Sequence, residues 1–155
     1  MSDYQRILAI VELNQDDTQV LRRAAQLSRW SGAPLLVLHV LDYQAGFECD
    51  QAPVLTRQQV ETSLQEAARA KIDATLARLG VTQAHVLVLR GKPRDVAPAT
   101  AREWQADLIV CSKTARYGLD HARPAFGSAY TGELLSVRAE RSGLGGRLRA
   151  WLQPL

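Results

Sequence analysis

Short apolar runs alternate with longer segments of helical periodicity along most of the chain. Four runs rich in Ile, Leu and Val, each bounded by polar or turn-forming residues, have the length and composition of buried strands. They are residues 6–12, 35–42, 85–91 and 106–112. Because strands that alternate with helices are joined by right-handed crossovers, this order predicts an α/β fold with a parallel sheet.

The first two helices carry recognisable start and stop signals. Asp16 or Asp17 can cap the first helix by accepting hydrogen bonds from its free backbone amides, and Gly32 can end it. Thr56 and Gln59 fit a capping box, which predicts a long second helix after them.

Two prolines make the third helix harder to predict. Pro93 suits the first position of a helix, where its missing N–H costs nothing. Pro98 falls five residues later, where it removes a ladder hydrogen bond, at a cost of roughly 3 kcal/mol in a regular helix. We therefore expect either a kink or a late start, and an end near Gln105.

Composition and charge narrow the class of protein. A chain of 155 residues suits one domain, and its 46% hydrophobic and 23% charged residues are ordinary for a globular protein. The net charge of +3 resides in residues 138–155, so residues 1–137 carry no net charge and no nucleic-acid partner is predicted. Without an export signal or a membrane-length apolar run, we expect a cytoplasmic location.

In open parallel sheets, ligands bind beyond the carboxyl ends of the strands. In this chain those positions are 12–16, 40–43, 91–93 and residue 111 onward. Cys111, at one of these positions, has the pattern of a small buried hydrophobe, with a reactive thiol as the alternative. His39, inside an apolar strand, has the pattern of a core histidine. No spacing typical of a metal site or a catalytic triad occurs, so neither a structural metal nor catalytic residues are predicted.

The chain resembles the universal stress protein family over residues 3–128. Its N-terminal part is most similar to the first half of tandem-domain members of the family. The resemblance rests on four ordered stretches: YQRILAIVELNQDD, GAPLLVLHVLD, GKPRDVAPATAREWQADLIVCS and FGS at residues 126–128.

The resemblance implies a Rossmann-like or flavodoxin-like three-layer sandwich with a mostly parallel five-stranded sheet. Residues 133–140 are then the candidate for the fifth strand, within a family domain over residues 1–140. The family also implies a homodimer, a role in stress survival, and, in many members, ATP binding without evident catalysis. A non-enzymatic regulatory module follows as the expectation.

The nucleotide motif of the family, G-x2-G-x9-G-[S/T], is only partly present. Gly127 and Ser128 match its end, whereas Thr114 and Tyr117 stand at the two earlier glycines; alignment from the strand end instead puts Cys111 and Thr114 there. Gly127 and Ser128 are either a phosphate cradle or simply a loop and helix cap. The candidates for binding ATP or another adenine nucleotide are Glu12, Val40, Gly118, Gly127 and Ser128.

Three functions stay open on these grounds. They are a non-catalytic regulatory module with a degenerate nucleotide site, an ATP-binding protein with slow or no hydrolysis, and an interaction module. The last would act through the arginine-rich residues 141–155, as an amphipathic helix against a partner or an acidic membrane surface. A frayed end is the other interpretation of that tail.

Overall fold

The structure is a computed structural model that describes residues 4–42, 56–112 and 130–138. Within these residues it contains three helices and five strands that alternate from the first strand to the fourth. In chain order they are β1 (Ile7–Val11), α1 (Asp17–Ser31), β2 (Leu35–Leu41), α2 (Arg57–Arg78), β3 (Ala84–Arg90), α3 (Pro93–Trp104), β4 (Leu108–Ser112) and β5 (Glu133–Val137).

The five strands form one parallel sheet in the order β3-β2-β1-β4-β5. This confirms the predicted α/β class. Of the two arrangements expected, Rossmann-like and flavodoxin-like, the strand order is that of the Rossmann-like fold. The chain moves outward from β1 to β3 and then returns to the other side of β1. The strand order therefore reverses between β1 and β4, which is where ligands bind in such sheets.

Helices cover both faces of the sheet, because alternate side chains of each strand point to opposite faces. Ile7, Ala9 and Val11 of β1 pack with buried residues of α1 and α2. Leu8 and Ile10 point the other way and pack with buried alanines of α3. The result is the three-layer sandwich, with β1 and β4 buried along their whole length.

The predicted segments agree closely with the observed ones. Each of the four predicted strands is present, with ends that differ from prediction by two residues or fewer, and residues 133–137 form the fifth strand. The capping box of α2 is also present: the Gln59 N–H donates to Thr56 Oγ1 at 3.2 Å and the Thr56 N–H to Gln59 Oε1 at 2.8 Å. Gly32 ends α1 in the left-handed conformation, as expected.

The expectation of a side-chain cap on α1 is wrong. Asp16 occupies the cap position, but its backbone is already helical (φ −75°, ψ −19°) and its side chain accepts no capping hydrogen bond. Caps normally need an extended backbone to aim the side chain at the helix amides. Both carboxylates, Asp16 and Asp17, instead bind groups outside the helix, described below.

Of the two alternatives expected for α3, the late start is wrong, since the helix begins at Pro93 and includes Pro98, whereas the kink stays a prediction. Pro98 lacks only one N–H, which would have been donated to the carbonyl of Arg94. The buried face of α3, formed by Ala97, Thr100 and Ala101, holds the helix against the sheet despite that loss. None of the described helices is long and apolar enough to cross a bilayer.

Candidate functional site

A pocket of about 300 Å³ opens at the carboxyl edge of the sheet, beside the ends of β1 and β2 and the start of α3. Its volume is at the lower end of the range for small-molecule sites. Its lining combines apolar side chains with carboxylate, amide and imidazole groups. The lining residues are Ile10, Val11, Glu12, Asn14, His39, Val40, Leu41, Asp42 and Pro93.

Glu12 follows β1 directly and is only partly exposed. Asn14 Nδ2 lies 3.5 Å from Glu12 Oε2. Leu13, between these two residues, has a left-handed backbone with a φ of 59°. A left-handed backbone is costly for a leucine, of order 1–3 kcal/mol, and persists only where the surroundings hold it. The side chain of Leu13 packs on the core of the α1 face, which supplies part of that support.

Asp17 fixes the loop between β1 and α1. Its Oδ1 accepts a hydrogen bond of 3.0 Å from the Glu12 N–H, and the Leu13 amide also bonds to this carboxylate. Burial raises the pKa of Asp17 above its ordinary value, and the two backbone hydrogen bonds offset part of that shift. The position of Glu12 at the pocket therefore depends on a carboxylate at the start of α1.

His39 joins the two strands that border the pocket. Its ring is buried, and Nδ1 lies 2.8 Å from the carbonyl oxygen of Val11. Because a carbonyl can only accept, Nδ1 carries a proton, and in the neutral ring Nε2 is left as an acceptor. This confirms the expected core histidine and adds what the sequence did not suggest, that the same residue lines the pocket.

Gly91 forms the turn into α3, next to the pocket wall. Its N–H donates to the Leu41 carbonyl at 3.1 Å, and its φ is +146°. A Cβ at this position would lie 2.6 Å from Cγ2 of Val96. Only glycine therefore lets α3 begin this close to the end of β2, and this closeness places Pro93 in the pocket.

The side chain of Ser112 spans the crevice where the strand order reverses. Its hydroxyl donates to Oδ2 of Asp16 at 2.8 Å and links the end of β4 to the start of α1. Cys111 beside it is buried, and burial raises the pKa of its thiol to about 11. The thiol is therefore neutral near pH 7, which confirms the expectation of a small buried hydrophobe rather than a nucleophile.

The predicted site residues divide into two groups. Glu12 and Val40 both line the pocket, on the ends of neighbouring strands. Gly118, Gly127 and Ser128 lie outside the described residues, as does the arginine-rich tail at 141–155. Within the described part of the chain, no group of three metal-binding side chains comes together.

These features define an α/β domain of Rossmann-like topology, with a pocket at the carboxyl edge of its sheet. The sequence profile described as "Universal stress protein family" matches residues 3–130, and the chain belongs to this family. A relative in Coxiella burnetii, universal stress protein A homolog 2, is 24% identical over 120 residues, which cover 77% of this chain and 82% of that protein.

Solved structures of the family share the fold at lower identity. A universal stress protein family member from Burkholderia pseudomallei is 23% identical and has a TM-score of 0.62, covering 90% of this chain and 99% of its own. A universal stress protein in complex with cAMP is 20% identical with a TM-score of 0.57, over 88% and 98% of the two chains. One from Archaeoglobus fulgidus in complex with dAMP is 19% identical with a TM-score of 0.54, over 86% and 98%.

Proposed function

We propose that this chain is a regulatory stress-response protein that binds an adenine nucleotide at the carboxyl-edge pocket without turning it over. The observation that carries the proposal is the placement of Glu12 and Val40, two predicted ligand residues from different strands, on one pocket of suitable size. Two relatives in the family are solved in complex with adenine nucleotides, cAMP and dAMP, which supports this ligand class.

The chemistry of the lining suits a base and a sugar. The apolar side chains of Ile10, Val40 and Pro93 offer a surface on which a flat base can pack. The carboxylates of Glu12 and Asp42 are acceptors for sugar hydroxyls. The combination of an apolar wall with a few polar groups is typical of small-molecule sites.

Two features support the proposal of binding without turnover. The thiol of Cys111 is buried and neutral, and the early glycines of the phosphate motif are replaced in this sequence. A phosphate chain would therefore meet fewer backbone amides than in members with the complete motif. Gly118, Gly127 and Ser128 are the residues we propose for the remaining phosphate contacts.

Calorimetric titration with AMP and with Mg-ATP, followed by chromatography of the nucleotide after incubation, tests this function. We expect binding of intact nucleotide, weakened about tenfold or more by Glu12→Gln, since a hydrogen bond to a charged group is worth about 1.5–3 kcal/mol. Asp73→Asn, on the exposed side of α2, is the matched control and should leave binding unchanged. No binding at millimolar nucleotide would overturn the proposal, and steady consumption of ATP would favour the slow-hydrolysis alternative.

We further propose a cytoplasmic homodimer of domains spanning residues 1–140, with residues 141–155 as a separate basic tail. β5 is the outer strand of the described sheet, beyond β4, and its edge can pair with a second copy. We also propose that the N-terminal stretch is similar to the first domain of the tandem protein UspE. Native mass spectrometry should give the mass of two chains, whereas a strict monomer would contradict the dimer.

The tail carries a separate alternative, an interaction module. Its arginines suit an acidic partner or an acidic membrane surface. Deletion of residues 141–155 should then abolish binding to vesicles that contain anionic lipid. Equal vesicle binding by the deleted and the complete chain would remove this alternative.

A further inference from the structure

The outward face of α1, far from the pocket, carries an unusual set of side chains. Arg22, Arg23, Arg29 and Trp30 are all exposed there, and we call them the α1 basic face. Trp30 is 72% exposed, the largest value among the exposed large hydrophobic side chains of the described residues. After Asp17, α1 contains no acidic residue.

Folding of the domain does not explain this face. Within the described part of the chain, none of the three guanidinium groups is ion-paired; Arg22 and Arg23 only approach Gln19 and Gln26, at 3.5 Å. A tryptophan buries 150–250 Å² when it packs, so leaving Trp30 in water forgoes a large hydrophobic gain. The face therefore offers charge and apolar area that the domain itself leaves unused.

A groove of about 780 Å³ borders the α1 basic face at the amino edge of the sheet. It lies between the turn after α1 and the turn after α2, and Arg29 belongs to both the groove and the face. No carboxylate lines it. The lining residues are Ala25, Ser28, Arg29, Gly32, Ala33, Pro34, Leu35, Gly80, Val81, Thr82, Gln83, Ala84 and His85.

We propose that the α1 basic face and this groove dock an acidic peptide segment of a partner protein, with an apolar side chain of that segment packed on Trp30. Tryptophan and arginine are the residues most often found at the energetic centre of protein interfaces. The charge of the face and the lack of carboxylates in the groove are complementary to an acidic chain.

The spacing of the arginines suggests the pattern of the partner. Arg22 and Arg29 are seven residues apart on one helix, which separates them by about 10.5 Å along its axis. In a peptide in the polyproline II conformation, which has three residues per turn and rises about 3.1 Å per residue, two acids three residues apart lie on the same side and about 9.3 Å apart. The expected motif is thus Glu-x-x-Glu with an apolar residue beside it.

A lipid surface or a nucleic acid fits the observations less well. Trp30 is the one large apolar side chain on the face, so little could insert into a bilayer. Residues 1–137 carry no net charge, so the folded body lacks the broad positive field that draws proteins to nucleic acid. A local contact with a short acidic segment needs no such field.

The test is fluorescence anisotropy of a labelled peptide of three Glu-Leu-Ala-Glu repeats, titrated with the full chain. We expect saturable binding that weakens with added salt, and little binding of the counterpart with Gln in place of Glu. The double variant Arg22→Gln, Arg29→Gln and the single variant Trp30→Ala should each weaken binding about tenfold or more.

Matched controls separate docking from folding and from nucleotide binding. The double variant Arg69→Gln, Arg102→Gln removes the same two charges from the exposed surfaces of α2 and α3. Leu64→Ala removes an exposed apolar side chain from α2, and neither control should change binding. Circular dichroism should show that every variant keeps the fold, and nucleotide titrations should be unaffected. A protein that binds no nucleotide would therefore contradict the proposed function but not the docking proposal.

Three results would overturn the docking proposal. One is peptide affinity that the variants of the α1 basic face do not change. Another is binding to phosphatidylserine vesicles through this face with no affinity for the acidic peptide. The last is a Trp30→Ala protein that changes from dimer to monomer, which would make the face a contact between copies of the chain.

Discussion

Asp17 connects the helix start to the pocket through two backbone hydrogen bonds. Its carboxylate holds the amides of Glu12 and Leu13, and these two residues carry the chain from β1 toward the pocket. The arrangement also tolerates a left-handed backbone at Leu13. Asp17 is a residue type that often caps helices, but here it holds the loop that positions Glu12 at the pocket.

Two replacements of Asp17 distinguish the effect of its charge on stability from the effect of its hydrogen bonds. Asp17→Ala leaves two amides without their acceptor and should lower the free energy of unfolding by about 1–3 kcal/mol. Asp17→Asn keeps an acceptor and should cost less. Urea unfolding of the two variants at neutral pH measures the difference, and equal losses would show that the hydrogen bonds do not hold the loop.

The same carboxyl predicts a pH dependence. Because burial holds the folded-state pKa of Asp17 above its ordinary value of 3.8, ionisation opposes folding. The stability that this group contributes is fully present below that value and is lost as the pH rises through the folded-state pKa. The stability of the natural chain relative to Asp17→Asn should therefore fall as the pH rises above about 4, whichever of the two is the more stable at neutral pH. A stability difference that stays constant over this range would contradict the account.

Gly91 gives a second test at the scale of one residue. Gly91→Ala forces a Cβ within 2.6 Å of Val96 and imposes a strained φ of +146°, so it should lower the free energy of unfolding by more than about 2 kcal/mol. Gly80→Ala is the matched control, since its φ is +70° but nothing lies within 4 Å of the added Cβ. Its cost should be about 1 kcal/mol. Thermal or urea unfolding ranks the two, and an equal or smaller cost at Gly91 would refute the argument from close approach.

Among the elements, α2 depends more on its own ends than the other helices do. Its buried residues Ala68, Ile72 and Leu76 all lie in its second half, so the first half gains little from packing. The capping box of Thr56 and Gln59 then secures the start of the helix.

Loss of the cap should loosen the first turns of α2. Thr56→Ala should cost about 1 kcal/mol and raise amide exchange at residues 57–64, while exchange near Ile72 stays slow. Ser63→Ala removes an exposed hydroxyl from the helix interior and should be neutral or slightly stabilising. If hydrogen exchange shows equal protection of the first turns in both variants, packing rather than the cap holds them.

The elements were the part of the structure that local sequence patterns could predict. The strands are continuous apolar runs because helices cover both faces of a central parallel strand. Such runs can be recognised from the local sequence, without knowing which strands lie beside them. A start of α3 at Pro93 was among the predicted possibilities, but the tolerance of Pro98 was not predictable, because its cost is local whereas the packing of Ala97 and Ala101 that offsets it is tertiary. The role of Asp16 was missed for the same reason, since its partner Ser112 lies 96 positions away in the chain. The role of Asp17 was missed although its partner Glu12 is only five positions away.

At the scale of the whole molecule, the order of the strands determines where ligand residues can meet. Glu12 and Val40 were predictable as neighbours because the carboxyl ends of parallel strands share one edge. The second role of His39 was not, because its place on the pocket depends on the contact with Val11 across two strands. The two proposals place their ligands at opposite ends of the sheet, the nucleotide at the carboxyl edge and the acidic peptide at the amino edge.

The central claim, an adenine nucleotide at the carboxyl edge, is tested most directly by mapping AMP onto the labelled protein by NMR. Amide shifts are expected at Glu12, Val40 and Gly91, with none at Arg29 or Gly80 on the opposite edge. The shifts should saturate as AMP is added. Unchanged spectra at millimolar AMP, or shifts confined to the amino edge, would contradict the account.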